Sequence, residues 1–310
     1  MNKKFAELAK KSKVIVIKVG SNILVNEKHS LRKKWLSSLV EDVQKLQRKG
    51  SKIIIVSSGA IALGRKILSK KKLTNLHEKQ AAASIGQIQL SQEWQKAFAK
   101  CKIQSSQILI TAEDLNERRK YLNIRNTIYS LMDLNVVPII NENDTTSTEE
   151  IRFGDNDKLS AMIANVLSAE LLILLSDVNG LYTSNPKKSA QAKLITSVEE
   201  VNQQIEKYID KDLSEFGSGG MQAKVNAAKL CIQSGSTMII SNGLVNNPLG
   251  NIHPKSSTWF LPSKNILTSR QQWIWNRPIQ KAILHIDEGA AKALKKNSSL
   301  LAIGVKAIEG

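Results

Sequence analysis

The chain has 310 residues, about twice the usual length of one domain, and 42% of them are hydrophobic, so a large core is expected. No apolar run approaches the roughly 18 residues that a membrane span requires, and no signal-peptide cleavage pattern follows the charged amino end, so we expect a cytoplasmic protein. Two distant cysteines and four scattered histidines lack metal-ligand spacing, which argues against a disulfide scaffold and against a protein-bound metal.

The formal net charge of +18 allows two interpretations. A basic surface can attract nucleic acids or membranes. However, the 36 lysines and 9 arginines are spread along the chain in short runs, which is typical of solvated faces, and a coding bias would explain them. The segment 141–157 is different, because it holds six acidic residues and one basic residue. That local excess of acid predicts a specific site.

Short β-branched runs alternate with helical patterns, which predicts an α/β fold with a three-layer αβα sandwich around a mainly parallel sheet. The predicted strands are 14–19, 52–57, 107–111, 136–141, 171–176 and 237–241, and the predicted helices are 31–48, 79–100, 122–135, 158–167 and 221–234. Prolines interrupt the pattern near 262–278. We therefore predict a main domain at 1–265, a linker at 266–278 and a tail at 279–310, which is shorter than the roughly 40 residues that fold alone.

Ligands of open α/β sheets bind beyond the carboxyl ends of the strands, and two of these ends carry small residues. Lys18 precedes Gly20 and Ser21 after the first strand, and Ser58 precedes Gly59 after the second. An ordinary strand-to-helix turn would explain either segment by itself. Lys18 favours an anion site, because an unpaired ammonium at the end of an apolar strand is costly to bury.

Two polar segments follow the fourth strand. The sequence is NENDTTS at 141–147 and FGDNDK at 153–158, directly before an amphipathic helix. Helix capping would need only one of the residues from Asp155 to Asp157. The other carboxylates and amides could neutralise a ligand's amino group and orient nearby lysines.

Two later segments are also candidates for binding. Ser176 and Asp177 end the fifth strand in a polar turn, and GSGGMQAK at 217–224 precedes a helix. A simple turn would explain Ser176 and Asp177, and a flexible linker would explain the glycines. A phosphate cradle explains the glycines equally well, since Lys224 lies in the first helical turn. The chain has no G-x-x-x-x-G-K-S/T loop and no G-x-G-x-x-G after the first strand, so neither a P-loop enzyme nor a standard dinucleotide binder is supported.

Five ordered blocks between about residues 12 and 265 carry a family resemblance: VIKVGSNIL, VSSGAIALGR, PIINENDTTSTEEIRFGDNDKLSA, LLSDVNGLY and GSGGMQAKVNAA. Together they resemble the amino-acid kinases, and the NEND and GDND segments resemble the glutamate 5-kinases among them. The resemblance implies ATP-dependent phosphorylation of the side-chain carboxylate of L-glutamate, with ATP and Mg²⁺, as the first step of proline biosynthesis.

The resemblance also assigns roles to individual residues. It implies that Lys18, Lys224 and Asp157 are catalytic, the two lysines contacting nucleotide phosphates and Asp157 holding the lysines in place. Substrate binding would involve Ser58, Asn141, Asp144 and Asn156. ATP binding would involve Lys18, Ser176, Asp177, Ser218, Gly219, Gly220, Met221, Gln222, Ala223 and Lys224.

These residue types suit such a reaction. The side-chain carboxyl of free glutamate has an ordinary pKa of about 4.3, so the nucleophile is already ionised at neutral pH and needs no general base. Positioning and charge stabilisation remain, and lysines, helix amides and magnesium can supply them.

The tail at 279–310 resembles the opening of a PUA module, and the sequence stops before such a barrel could close, so we do not expect RNA binding through it. An RNA-binding protein that uses the basic surface and this tail is the alternative function. Residues 267–310 argue against it, because they hold only seven basic and three acidic residues. The resemblance further implies a homodimer or tetramer, no membrane partner, and handover of the product to glutamyl phosphate reductase.

Overall fold

All six strands predicted from the sequence are present, and two further short strands join them in one sheet. The structure is a computed structural model that describes residues 1–70, 72–147, 156–186, 189–209, 220–262, 283–295 and 298–309. The strands of this sheet are β1 Val14–Val19, β2 Lys52–Ser57, β3 Ser105–Ile110, β4 Val137–Glu142, β5 Leu171–Ser176, β6 Ser197–Val198, β7 Thr237–Asn242 and β8 Ser257–Phe260.

The strands lie in the order β3-β4-β2-β1-β5-β7-β8-β6. Each neighbouring pair in this order is parallel except β7 with β8, which is antiparallel. Parallel strands covered on both faces are apolar along their length, and β5 is buried throughout. β1 follows the same rule except at Lys18, a charged residue that is only 7% exposed.

Helices cover both faces of the sheet. They are α1 Lys3–Lys11, α2 Ser21–Leu24, α3 Lys33–Gln47, α4 Ala60–Ile67, α5 Leu76–Lys100, α6 Ala112–Asn116, α7 Arg118–Asp133, α8 Asn156–Val166, α9 Gln203–Lys207 and α10 Met221–Ser234. α3 and α5 pack on the face that carries Ile15 and Ile17, whereas α7, α8 and α10 pack on the face that carries Val16. The predicted three-layer sandwich around a mainly parallel sheet is confirmed.

Two glycines bring α4 and α5 into backbone contact. A Cβ atom at Gly64 would lie 1.7 Å from the carbonyl oxygen of Ala82, and one at Gly86 would lie 1.8 Å from that of Ala60. Any larger residue would therefore push the two helices apart. Gly59 makes the turn from β2 into α4 with a φ of 110°, a conformation in which other residues are strained.

The chain divides into two compact units, Met1–Trp275 and Asn276–Gly310. In the second unit, β9 Ile283–Ile286 pairs antiparallel with β10 Val305–Glu309, and α11 Glu288–Lys295 and a 3-10 turn at Ala302–Gly304 come between them in the sequence. Its likeness to a PUA module stays a prediction, and the predicted linker at 266–278 lies outside the described residues. None of the helices in the described ranges has the length and apolar character that crossing a membrane requires.

Candidate active site

The carboxyl ends of β1, β2, β4 and β5 open onto one cavity of about 510 Å³. Eight of the predicted site residues line it: Lys18, Ser58, Asn141, Asp144, Asn156, Ser176, Asp177 and Lys224. They come from four strand ends and from the first turns of α8 and α10. The volume is in the range of pockets that hold small molecules. The structure therefore brings residues that are far apart in sequence to one site.

Lys18 and Lys224 reach the same buried carboxylate. Lys18 Nζ forms an ion pair with Oδ1 of Asp157, and Lys224 Nζ donates a hydrogen bond to Oδ2 at 2.9 Å. Asp157 is 1% exposed and each lysine is 7% exposed. Burial by itself would raise the pKa of the Asp157 carboxyl, but attraction and hydrogen bonds from the two lysines outweigh it and lower the pKa to about 2. Asp157 is therefore ionised at neutral pH and holds both ammonium groups at the cavity wall.

The local sequence explains why these three residues meet. Successive side chains of a strand point to opposite faces, so Lys18 shares with Val16 the face that α8 and α10 cover. α8 begins at Asn156 and α10 at Met221, which places Asp157 and Lys224 in the first turn of each helix. A negative charge in the first turn is also favoured by the helix dipole.

Amide side chains form the floor of the cavity beside this ion-paired group. Asn156 Nδ2 donates to Ser58 Oγ at 2.7 Å, to the carbonyl oxygen of Ser57 at 3.0 Å and to Asn141 Oδ1 at 3.0 Å. Asn141 Nδ2 in turn donates to Gln87 Oε1 at 2.8 Å. Asn156 Oδ1 is buried and has no hydrogen-bond partner within the part of the chain that the structure describes. Such an oxygen is suited to accept a hydrogen bond from a ligand.

An acidic pair stands at the end of β4. Asp144 is 9% exposed, and burial, with a further contribution from the neighbouring Glu142 carboxyl, raises its pKa to about 7. Glu142 is also buried and accepts a hydrogen bond from Ser147 Oγ at 3.1 Å. This arrangement attracts a cation, because a ligand's ammonium would relieve the repulsion between the two carboxyls.

The other end of the cavity suits an anion. A Cβ at Gly20 would lie 3.5 Å from the carbonyl oxygen of Leu175 and 3.8 Å from Lys18 Nζ, so it would take up space beside that ammonium group. Ser176 Oγ donates to Asp177 Oδ1 at 3.2 Å, and Asn22 Nδ2 donates to Asp177 Oδ2 at 3.4 Å. The glycine leaves room for a phosphate group to approach Lys18.

The glycine-rich segment before α10 is described only in part. Ser218 and Gly219 lie outside the described residues. Gly220 directly precedes the helix, and Met221, Gln222 and Ala223 form its first turn with Lys224. The Gln222 side chain donates to Asn226 Oδ1 at 3.1 Å, along the helix surface. Among the described residues of this segment, 220–224, Lys224 is the one that lines the cavity.

Four basic residues and one amide at this site were not predicted from the sequence. His29, Arg65, Lys72 and Lys79 line the cavity together with the predicted residues. Burial, followed by repulsion from Arg65 and Lys66, lowers the pKa of His29. Gln87 contacts Asn141 from α5. Arg65 stands inside the VSSGAIALGR block, which is the one sequence signal that could have drawn attention to it.

Comparison with known proteins identifies relatives over nearly the whole chain. The model of the amino acid kinase family matches residues 13–242. The glutamate 5-kinase of Pelagibacter ubique is 48% identical over 303 residues, which are 97% of this chain and 82% of that protein. The glutamate 5-kinase of Rhizobium johnstonii is 44% identical over 298 residues, or 96% of this chain and 77% of that protein.

Solved structures share the fold at low sequence identity. A carbamate kinase from Giardia lamblia bound to AMP-PNP superposes with a TM-score of 0.57 at 18% identity, over 82% of this chain and 100% of that one. An isopentenyl phosphate kinase superposes with a TM-score of 0.53 at 16% identity, over 79% of this chain and 99% of that one. The family model and the relatives at 44–48% identity establish that this chain belongs to the amino acid kinase family, and within it to the glutamate 5-kinases.

Proposed function

We propose that this chain transfers the γ-phosphoryl group of ATP to the side-chain carboxylate of L-glutamate, which yields ADP and γ-glutamyl 5-phosphate for proline biosynthesis. A carboxylate oxygen of glutamate forms a bond to the γ-phosphorus, and the bond from that phosphorus to the bridging oxygen of ADP breaks. The observation that carries the proposal is the cavity in which two lysines on one buried Asp157 stand beside an acidic and amide-lined pocket.

Different residues of this chain contact the phosphoryl group and the amino-acid substrate. Lys18 and Lys224 face the negative charge of the transferring phosphoryl group, and Asp157 keeps both in place. Asp144 and Asn156 bind the substrate's ammonium group, while Ser58 donates a hydrogen bond to a substrate carboxylate. The nucleophile is ionised at neutral pH, so the site needs no catalytic base. Placing two anions in contact is the difficult part of the reaction, and fixed positive charge is the means to do so.

We infer that ATP binds at the end of the cavity that suits an anion. Gly20, Ser176 and Asp177 lie at the ends of β1 and β5, and the segment 218–224 leads into α10. Asp177 would hold magnesium that binds with ATP, since this ion is usually held by phosphates, water and one or two carboxylates, and the ion would offset part of the phosphate charge. Asp177 lies at this end of the cavity. Within the part of the chain that the structure describes, its carboxylate accepts hydrogen bonds from Ser176 and Asn22 and forms no ion pair with a lysine.

The wider associations are part of the same proposal. We infer a homodimer or tetramer, a cytoplasmic location and delivery of the labile product to glutamyl phosphate reductase. The relatives described above lend no support to the alternative of an RNA-binding protein. A kinase assignment also accounts for the local acid at 141–157, which an RNA-binding surface would not need.

Trapping the product with hydroxylamine tests the function. The enzyme is incubated with ATP, magnesium and hydroxylamine, and L-glutamate is compared with L-aspartate and N-acetyl-L-glutamate. We expect hydroxamate from glutamate at a rate far above that from the other two acids, because aspartate is one methylene shorter and the acetyl group removes the ammonium charge. Equal rates with all three, or no hydroxamate from glutamate, would refute the proposal.

A further inference from the structure

A chain of hydrogen bonds runs from Ser91 of α5 to the floor of the cavity. Gln87 Nε2 donates to Ser91 Oγ at 3.2 Å, and Gln87 Oε1 accepts from Asn141 Nδ2 at 2.8 Å. Asn141 Oδ1 accepts from Asn156 Nδ2 at 3.0 Å, and the same amide group of Asn156 donates to Ser58 Oγ at 2.7 Å. Gln87 is half-buried and is not among the residues that line the cavity.

The order of donors and acceptors along this chain fixes the orientation of each amide. A side-chain amide has one accepting oxygen and one donating nitrogen. Because Gln87 presents its oxygen to Asn141, the nitrogen of Asn141 must face Gln87 and its oxygen must face Asn156. Asn156 therefore turns its nitrogen inward, and its Oδ1 is left as a buried acceptor without a partner among the described residues.

The position of Gln87 follows from the packing of α5. Gly86 lies against the carbonyl oxygen of Ala60 so closely that a Cβ would be 1.8 Å from it. This contact fixes the height and rotation of α5 beside α4. The Oγ of Ser91, one turn further along α5, donates to Gln107 on β3, so the Gln87 side chain is also held from behind. Gln87 is thus anchored on one side and aimed at Asn141 on the other.

We propose that Gln87 is a positioning residue for amino-acid recognition. Through Asn141 it supports the Ser57 carbonyl oxygen in holding Asn156 in the orientation that offers Oδ1 to the ammonium group of the substrate. If Gln87 could not accept from Asn141, Asn141 could reverse and turn its amide nitrogen toward that of Asn156, which would leave Asn156 held, within the described residues, only by its bonds to Ser57 and Ser58. This inference rests on the proposed function, since it takes L-glutamate as the substrate.

The test uses three variants of the whole chain. Gln87→Met keeps the length of the side chain and removes the acceptor, whereas Gln87→Glu keeps an acceptor for Asn141. Gln92→Met is the matched control, because Gln92 is an exposed residue of the same helix. For each protein we would measure kcat, the KM for glutamate, the KM for ATP, and the inhibition constant of glutarate, which is glutamate without its amino group.

We expect Gln87→Met to raise the KM for glutamate by roughly tenfold, since a hydrogen bond to a charged group is lost. The kcat, the KM for ATP and the inhibition constant of glutarate should stay within about twofold of wild type, and Gln87→Glu should bind glutamate nearly as wild type does. If Gln87 served only in packing, the opposite result would follow: Gln87→Met would be tolerated, and Gln87→Glu would raise the KM for glutamate.

Two results for Gln87→Met would overturn the inference. One is an equal loss of binding for glutamate and glutarate, and the other is a KM for glutamate equal to that of the wild type. If Gln87→Met fails to fold, Gln87→Glu decides the matter, because a tenfold higher KM for glutamate with an unchanged KM for ATP contradicts the role of the acceptor. Failure of wild-type enzyme to phosphorylate glutamate would refute the proposed function itself. A working wild type with unaltered Gln87 variants would refute only the role of Gln87.

Discussion

Replacing Asp157 by Asn removes the negative charge that the two cavity lysines, Lys18 and Lys224, share. Asp157 is 1% exposed, and its two carboxylate oxygens serve Lys18 and Lys224 separately. Asparagine has the same shape, so the substitution changes charge with little change in volume. The variant keeps two ammonium groups that are each 7% exposed and loses the negative charge that both of them contact.

The expected loss of stability follows from that burial. Breaking a buried ion pair by removing one partner typically costs about 3–5 kcal/mol. For a domain of this size each kcal/mol lowers Tm by about 2–4 °C, so Asp157→Asn should lower Tm on the order of 10 °C. The pKa of Asp157, lowered to about 2 from 3.8, gives a stabilisation that is fully present above about pH 4 and is lost as the pH falls through 2.

Thermal unfolding with and without ATP provides the assay. Triphosphate oxygens would replace the missing carboxylate as a counter-charge, so ATP should raise the Tm of Asp157→Asn by more than it raises that of the wild type. Asp133→Asn serves as the control, because Asp133 is exposed at the end of α7. An unchanged Tm in Asp157→Asn, or an equal ATP-dependent shift in both proteins, would refute the reasoning.

Three further predictions concern single residues. Lys224→Ala leaves Asp157 paired with Lys18, so it should keep the fold by circular dichroism but lower kcat by about 100-fold or more; near-normal turnover would contradict the assignment. Burial and the Glu142 carboxyl raise the pKa of Asp144 to about 7, so ionisation on going from pH 6 to pH 8 should lower the KM for glutamate by roughly tenfold. Asp144→Asn should abolish that dependence, and a KM that still varies would disprove it. Gly86→Ala drives a methyl group into a backbone oxygen and should lower the free energy of unfolding in urea by about 1–3 kcal/mol or more; unchanged stability would show that α5 can move freely.

Long elements with strong patterns were predictable from the sequence. The strands Val14–Val19, Lys52–Ser57 and Leu171–Ser176 and the helix Met221–Ser234 have the predicted bounds, because short, largely apolar runs and a helix that follows glycine leave little ambiguity. The position of Lys18 was informative for the same reason: one charge in an otherwise buried strand requires a partner.

Short elements were not predicted, because their formation depends on tertiary packing. β8 Ser257–Phe260 has four residues, and its Thr258 and Trp259 are buried against a sheet that sequence patterns do not reveal. The helix Ala60–Ile67 was missed because its eight residues are held by the contact of Gly64 with Ala82. The link from Gln87 to Asn141 joins residues 54 positions apart, and no local pattern encodes it.

The spacing of the strands offers a reason why a five-carbon substrate would fit. β4, β2 and β1 are successive neighbours in the sheet, so the ends of β4 and β1 are about 10 Å apart at a strand separation of about 4.8 Å. Asp144 follows β4, Ser58 follows β2 and Lys18 ends β1. The acidic pair that suits an ammonium group therefore lies about two strand spacings from the lysine that we propose faces the transferring phosphoryl group. Glutamate carries its ammonium group and its reacting carboxylate at opposite ends of the molecule, so with the ammonium held near β4 its side-chain carboxylate is directed toward the phosphoryl group at Lys18. Aspartate is one methylene shorter, so with its ammonium held at Asp144 its carboxylate lies further from that phosphoryl group, which is the physical reason for the selectivity expected in the hydroxamate assay.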